Sequence, residues 1–235
     1  MRGLVLSLFP GAGLFDLAFE QAGFCVVRGP DLLWGGDVHN FHPKRGVFDG
    51  LIGGPPCQRH STASSIAGTE AVDLIPEYLR VWDEAGRPWS VMENVSGALN
   101  HPVIPQDWHP ARLRDWDCGG LTTRKRAFWT WPFWIMDPTP RPGDPSLSVM
   151  ATTWKRGSSD SQYVKDKGFL PGDLSVEEYA RLQGAEEIGR RLIEHKAGKA
   201  FAVHCLGNGV PLAMGRYIAR AVTTNLLDQR VEAVA

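Results

Sequence analysis

The sequence predicts an α/β fold, a doubly wound and mostly parallel sheet with a small insert, and three features carry that expectation. Apolar runs of strand length alternate with segments of helical periodicity through the first half of the chain. A glycine turn joins the first strand to the first helix, and regular periodicity stops and resumes around a proline-rich, polar stretch. A chain of 235 residues is the right size for one such domain with a substantial core.

The elements follow in order. LVLSLF reads as a strand, PGAG as a turn, LFDLAFEQAG as a helix and CVVRG as a second strand. DGLIGG, IPEYLRVWDEAG and SVMEN continue as strand, helix and strand, the alternation of a parallel sheet covered on both faces. From 127 to 174 neither period is sustained, and this stretch reads as an insert that divides the chain into 1–126, 127–174 and 175–235. Ser175 and Glu178 have the spacing of a capping box at a helix start. A further helix is expected over IGRRLIEHKA, and a long amphipathic one over PLAMGRYIARAVTTNLL, opened by Pro211.

Composition narrows the classes. A formal net charge of −1 argues against a uniformly basic nucleic-acid protein but leaves room for a local basic face. Cys25, Cys57, Cys118 and Cys205 are far apart with no CxxC pair, so neither a disulfide framework nor a metal site is expected. No apolar run is long enough to cross a bilayer and no signal-like segment opens the chain, so the expectation is a soluble, cytoplasmic protein with no membrane partner.

Several short motifs fall at strand ends, where open α/β sheets bind ligands. Phe9–Gly13, FPGAG, brings backbone amides to the positive end of a helix; the alternative is a tight turn with no ligand. Asp31 and Asp37 stand where carboxylates could accept hydrogen bonds from a ribose and from an adenine amine. GGPPCQRHS puts Cys57 behind two prolines, and such a thiol is a nucleophile only near positive charge or a helix N-terminus. MENV places Glu93 and Asn94 at the next strand end, a carboxylate suited to a heterocycle whose ring nitrogen must be held or protonated. In TTRKRAFW, Arg124 and Arg126 alternate along a strand and share a face; an exposed basic strand is the plain alternative.

Taken together and in this order, these motifs resemble those of DNA (cytosine-5) methyltransferases over most of the chain. FPGAG is similar to the family's FxGxG cofactor loop, GGPPCQ to its PCQ loop, MENV to its ENV strand end, TTRKR to QxRxR, EEYARLQG to the RLQG helix and GNGVPLAMGRYIA to the final GNSV segment. The resemblance implies a Rossmann-like fold using S-adenosyl-L-methionine (AdoMet). It also implies that Cys57 is the nucleophile, Glu93 the acid at ring nitrogen 3, and Arg126 and Arg124 supports for a flipped base. Phe9, Gly11, Gly13, Asp31, Asp37, Pro55 and Asn208 would hold the cofactor. Gln58, Arg59, Ser61 and Asn94 would face the substrate.

The 127–174 insert occupies the place of a target recognition region and is small for one, which implies a short or degenerate DNA site. Thr152, Thr153, Lys155 and Arg156 are expected on DNA, with Lys165 and Lys167 on phosphates. The partner implied is double-stranded DNA, acted on by a monomer in a bacterial or phage-infected cell. Some positions depart from the family pattern. Asp31 and Asp37 are close together, implying a lost helix; Arg59-His60 stand where a hydrophobic residue usually precedes the serine; Thr122 replaces glutamine and Gly209 replaces serine. A tRNA-directed enzyme and an inactive DNA-binding relative are the alternatives.

Overall fold

A computed structural model describes residues 2–56, 72–149 and 174–232. Cys57, Gln58, Arg59 and Ser61 of the nucleophile motif, and Thr152, Thr153, Lys155, Arg156, Lys165 and Lys167 of the insert, lie outside the described residues.

Six strands form one sheet: β1 (Leu4–Leu8), β2 (Cys25–Arg28), β3 (Gly50–Gly53), β4 (Trp89–Asn94), β5 (His109–Arg114) and β6 (Lys125–Trp131). Their order is β2-β1-β3-β4-β6-β5. The first four run parallel, and β6 is antiparallel to both β4 and β5. Helices α1 (Leu14–Gln21) and α2 (Ile75–Glu84) cover opposite faces. The last part of the chain supplies α3 (Val176–Leu182), α4 (Glu186–Glu194), α5 (Lys199–Asn208) and α6 (Leu212–Glu232).

Two core clusters explain why the apolar runs are continuous. Val5, Ile52, Val91 and Phe128 point to one face, where Phe15 and Phe19 of α1 and Met214, Ile218 and Val222 of α6 cover them. Their neighbours Leu6, Leu51, Met92 and Ala127 point to the other face, against Ile75, Tyr78, Val81 and Trp82 of α2. A strand buried on both sides shows no alternation, which is the parallel-sheet pattern. The Tyr78 hydroxyl lies within 2.9 to 3.2 Å of the Ser90 hydroxyl and the Leu51 and Val91 carbonyls, fixing α2 on β3 and β4. Phe19 is fully buried, edge-on to Phe15 and stacked on Trp89. Phe19→Ala is therefore expected to lower the unfolding free energy by about 3–5 kcal/mol, measurable by denaturant titration.

The helices expected over 75–86, 188–197 and 211–227 are present as α2 (Ile75–Glu84), α4 (Glu186–Glu194) and α6 (Leu212–Glu232), and Ser175 with Glu178 forms the capping box at the start of α3. No α-helix stands between β2 and β3, where two 3-10 turns (Leu32–Trp34 and Val38–Asn40) make the connection.

Three features differ from the expectation. The insert does not begin at 127, because Ala127–Trp131 belongs to β6 in the sheet interior. Its aromatic run hides the strand period because Phe128 and Trp129 are both buried, on opposite faces. Strand β5 was not expected: HPARLR buries only Ala111 and Leu113, and Pro110 is tolerated because β5 is an edge strand. Helix α5 was also not expected, since its buried residues Ala202, Val203, Cys205 and Leu206 spread over more than one face and leave no clean stripe.

Candidate active site

The parallel strands end together at Leu8, Arg28, Gly53 and Asn94, and the antiparallel β6 starts at that same edge. Every motif with a chemical reading in the first half of the chain reaches this edge.

The turn after β1 is held by the loop after β2. The Asp31 carboxylate accepts the Gly11 amide at 2.8 Å with one oxygen and the Leu33 amide at 2.8 Å with the other. The Trp34 indole donates to the Gly11 carbonyl at 2.8 Å, and the Phe9 amide donates to the Pro30 carbonyl at 3.2 Å. Gly13 sits at φ 81°, a left-handed conformation, and opens α1 with no side-chain cap, so the first amides of the helix keep their polarity for a ligand. A Cβ at Gly13 would meet the Arg28 guanidinium at 2.6 Å, whereas Gly11 faces open space. Arg28 is in turn held by buried Asp16, at 2.9 Å, which also accepts the Ser7 hydroxyl at 2.5 Å. Burial raises the Asp16 carboxyl above its ordinary value, against the pull of Ser7 and Arg28.

These residues fit AdoMet. The turn is open at Gly11, the helix end is uncapped, and each Asp31 oxygen keeps lone-pair capacity for a ribose hydroxyl after accepting one amide. Asp37 is arranged differently: it caps its own 3-10 turn, accepting from the His39 amide at 3.0 Å and pairing with the His39 ring at 2.8 Å. Those contacts with His39 hold its carboxyl below the usual range. Asn208 ends α5, exposed, with its amide 3.1 Å from the His204 ring.

The second half of the site is built by β3, β4 and β6. Glu93 is 8 % exposed, and its Oε1 pairs with Arg126 Nε at 2.7 Å. Register sets Gly53 opposite Met92, which brings Gly54 beside Glu93; a Cβ at Gly54 would lie 2.7 Å from Glu93 Oε2. The carboxylate thus rests on the backbone of the segment that runs through Pro55 and Pro56 to Cys57. Asn94 is buried and donates to the Pro55 carbonyl at 3.0 Å, while its own oxygen accepts the Val95 amide at 2.8 Å. Burial raises the Glu93 carboxyl above its ordinary value, and the charges of Arg126 and Arg124 only partly oppose this.

Arg124 is 4 % exposed and donates to the Val149 carbonyl at 3.3 Å; its Nε has no hydrogen-bond partner among the described residues. Burial, with the nearby Arg126 charge, pulls it down to about 9, still charged at neutral pH. Thr122, in the place of the family's glutamine, donates its hydroxyl and amide to buried Asp115 at 2.7 and 2.9 Å. Burial pushes the Cys118 thiol up to about 12 and the Cys205 thiol up to about 11, the wrong direction for a nucleophile.

Sequence reasoning did not single out Trp34, Asp16, Asp115 or Gln183. Gln183 of the RLQG motif is structural: its side chain donates to the Leu206 carbonyl at 2.5 Å and its carbonyl accepts the Leu212 amide, binding α3 to the turn between α5 and α6. A tryptophan in the short loop after a ribose-type aspartate was a usable signal for Trp34. The partners of Asp16 and Asp115 are apparent only after folding.

A glycine turn between β1 and α1, an acid after β2 and a Pro-Pro segment after β3 stand at one edge of a Rossmann-like α/β sheet. Residues 35–104 match the family model of C-5 cytosine-specific DNA methylases. The type II methyltransferase M.FnuDI of Fusobacterium nucleatum is 35% identical over 114 residues, covering 41% of this chain and 33% of that protein. M.NgoPII of Neisseria gonorrhoeae, also a type II methyltransferase, is 33% identical over 116 residues, covering 40% of this chain and 34% of that protein. Among solved structures, a prophage-encoded protein of E. coli assigned to DNA modification methyltransferases superposes with a TM-score of 0.62 at 17% identity, over 96% of this chain and 99% of that one. Over these matched residues the chain is similar to C-5 cytosine-specific DNA methylases. It spans about a third of the length of the curated relatives it matches.

Proposed function

We propose that this protein methylates carbon 5 of cytosine in double-stranded DNA, with AdoMet as methyl donor and Cys57 as covalent nucleophile. The observation that carries the reading is the placement of Glu93: a buried carboxyl, ion-paired to Arg126, lying against Gly54 at the start of the Gly-Pro-Pro-Cys segment.

Carbon 5 of cytosine is a weak nucleophile, and the chemistry of this edge answers that. The Cys57 thiolate adds to carbon 6, the carbon 5–carbon 6 double bond opens, and its electron pair is delocalised through carbon 5 and carbon 4 onto nitrogen 3. Glu93, whose carboxyl burial shifts toward the protonated form, supplies a proton at nitrogen 3 and so neutralises the charge that would accumulate there. Carbon 5 thereby becomes an enamine carbon able to accept a methyl group. After methylation, loss of the carbon 5 proton to a solvent-derived base expels Cys57 and restores the carbon 5–carbon 6 double bond, and the proton on nitrogen 3 returns to Glu93. AdoMet, when bound, supplies that methyl group on a cationic sulfonium. Phe9, Gly11, Gly13 and Asp31 would hold it at the β1–β2 edge, with Pro55, Asn208 and Asp37 as further cofactor residues. Arg126 keeps Glu93 oriented, and Arg124 places a second positive charge behind it.

The thiol reaches carbon 6 only if the base leaves the duplex, so the substrate cytosine is flipped. Gln58, Arg59 and Ser61 meet the flipped nucleotide beside Asn94, and Thr152, Thr153, Lys155 and Arg156 read a short or degenerate site. The protein acts as a monomer in the cytoplasm of a bacterial or phage-infected cell. Among the described residues no helix is long and apolar enough to cross a membrane.

The test is covalent trapping on duplex DNA containing 5-fluorocytosine, with AdoMet present. An adduct that survives denaturation, and is lost in Cys57→Ser, is expected. An adduct on tRNA in place of duplex DNA would move the substrate to RNA, and binding without any adduct would make the chain a DNA-binding relative.

A further inference from the structure

We propose that the Asp73–His101 pair is a positioning device that, together with Asn94, ties Pro55–Pro56 and Asp73–Leu74, the flanks of the Cys57 motif in sequence, to the strand that carries Glu93. This rests on the function proposed above. Pro55–Pro56 and Asp73–Leu74 flank the Cys57 motif in sequence, and both flanks are tied to β4 and the turn that follows it, Ser96–Asn100.

On the departing flank, Asn94 of β4 donates to the Pro55 carbonyl at 3.0 Å. On the returning flank, His101 Nε2 lies 2.8 Å from Asp73 Oδ2, with the His101 side chain 6% and the Asp73 side chain 23% exposed. The two flanks are joined to each other, since the Leu74 amide donates to the Pro56 carbonyl at 2.9 Å. Asp73 also opens α2, accepting the Ile75 amide at 3.1 Å with its other oxygen. One aspartate therefore fixes the start of a helix and, through His101, its distance from the strand that carries Glu93.

The chemistry explains why two anchors are needed. A single flipped cytosine must meet a thiol at carbon 6 and a carboxyl at nitrogen 3 together, so the two groups must share one frame of reference. Here β4 is that frame: it carries Glu93 directly and holds both flanks of the Cys57 segment. A segment tied at one end only would keep far more conformational freedom, and the fraction of molecules with both groups in register would fall.

The test uses the full chain, a 5-fluorocytosine duplex and AdoMet. His101→Phe and Asp73→Ala are expected to slow single-turnover adduct formation about tenfold or more, with AdoMet affinity within about twofold of the parent. Asp73→Asn, whose amide oxygen still accepts the Ile75 amide while its NH2 can donate to the unprotonated Nε2 of a neutral His101, is expected to recover most of the rate. Adduct rates unchanged in both disruptive variants would overturn the inference. So would a loss of AdoMet affinity in step with the rate, which is what a purely structural role produces. If the parent protein forms no Cys57-dependent adduct on any cytosine-containing nucleic acid, the proposed function itself fails, and the inference with it.

Discussion

Glu93→Gln is expected to lower the rate of methyl transfer by about 10²- to 10⁴-fold while AdoMet binding stays unchanged, the usual span for loss of a general acid. Glutamine keeps the volume and can still hydrogen-bond, so the loss isolates the proton. Gly11, Gly13 and Asp31 of the proposed cofactor site are held through the β1 and β2 loops and do not depend on Glu93. Single-turnover rates with tritiated AdoMet would check this, and a rate within about threefold of the parent would remove Glu93 from the chemistry.

The pH dependence follows from the same carboxyl. Burial raises Glu93 above the ordinary carboxylate range, so the folded protein holds this proton where the unfolded chain, at about 4.3, has lost it. Activity that needs the proton therefore declines as pH rises through the folded value. Stability has the same sign: the contribution of a raised group is complete below the unfolded pKa and is lost as pH climbs through the folded one. In Glu93→Gln that part of the slope disappears, and chemical denaturation across the pH range would show it.

Gly54→Ala is the second large effect, expected to reduce the rate about 10²-fold, as an ångström of misplacement can. The new Cβ would lie 2.7 Å from Glu93 Oε2, too close for the present position of either. The carboxylate cannot simply swing aside, because its other oxygen is pinned by Arg126 at 2.7 Å. The strain is relieved by moving either Glu93 or the backbone at Gly54, and either move disturbs the proposed alignment of acid and nucleophile. Gly54 lies beyond the end of β3, so the unfolding free energy is expected to change by only about 1 kcal/mol. A kcat that falls while the KM for AdoMet holds would show that the backbone approach at this glycine is a requirement of the site.

Much of the architecture was legible in the sequence because parallel strands and amphipathic helices write their burial into local period. Leu4–Leu8, Gly50–Gly53 and Trp89–Asn94 are continuous apolar runs for the plain reason that both faces of the sheet are covered. Where burial does not produce a period, the reading failed. Strand β5 is an edge with only Ala111 and Leu113 inward, β6 buries aromatic residues on both faces, and α5 is enclosed on more than one side.

By itself, the sequence determined which chemical groups the protein has and at which strand ends they fall: a glycine turn, an acid after the second strand, a thiol behind two prolines, a carboxylate and two arginines. Those are matters of residue type and order along the chain. Only the tertiary structure decided how the groups act on one another. It set Glu93 on Gly54, paired it with Arg126, turned Asn94 toward Pro55 and Asp31 toward Gly11, and left Asp37 with His39. The physical reason is that a carboxyl's proton affinity and a loop's position depend on burial and on partners brought together across the sheet, and no local pattern records which residues those will be.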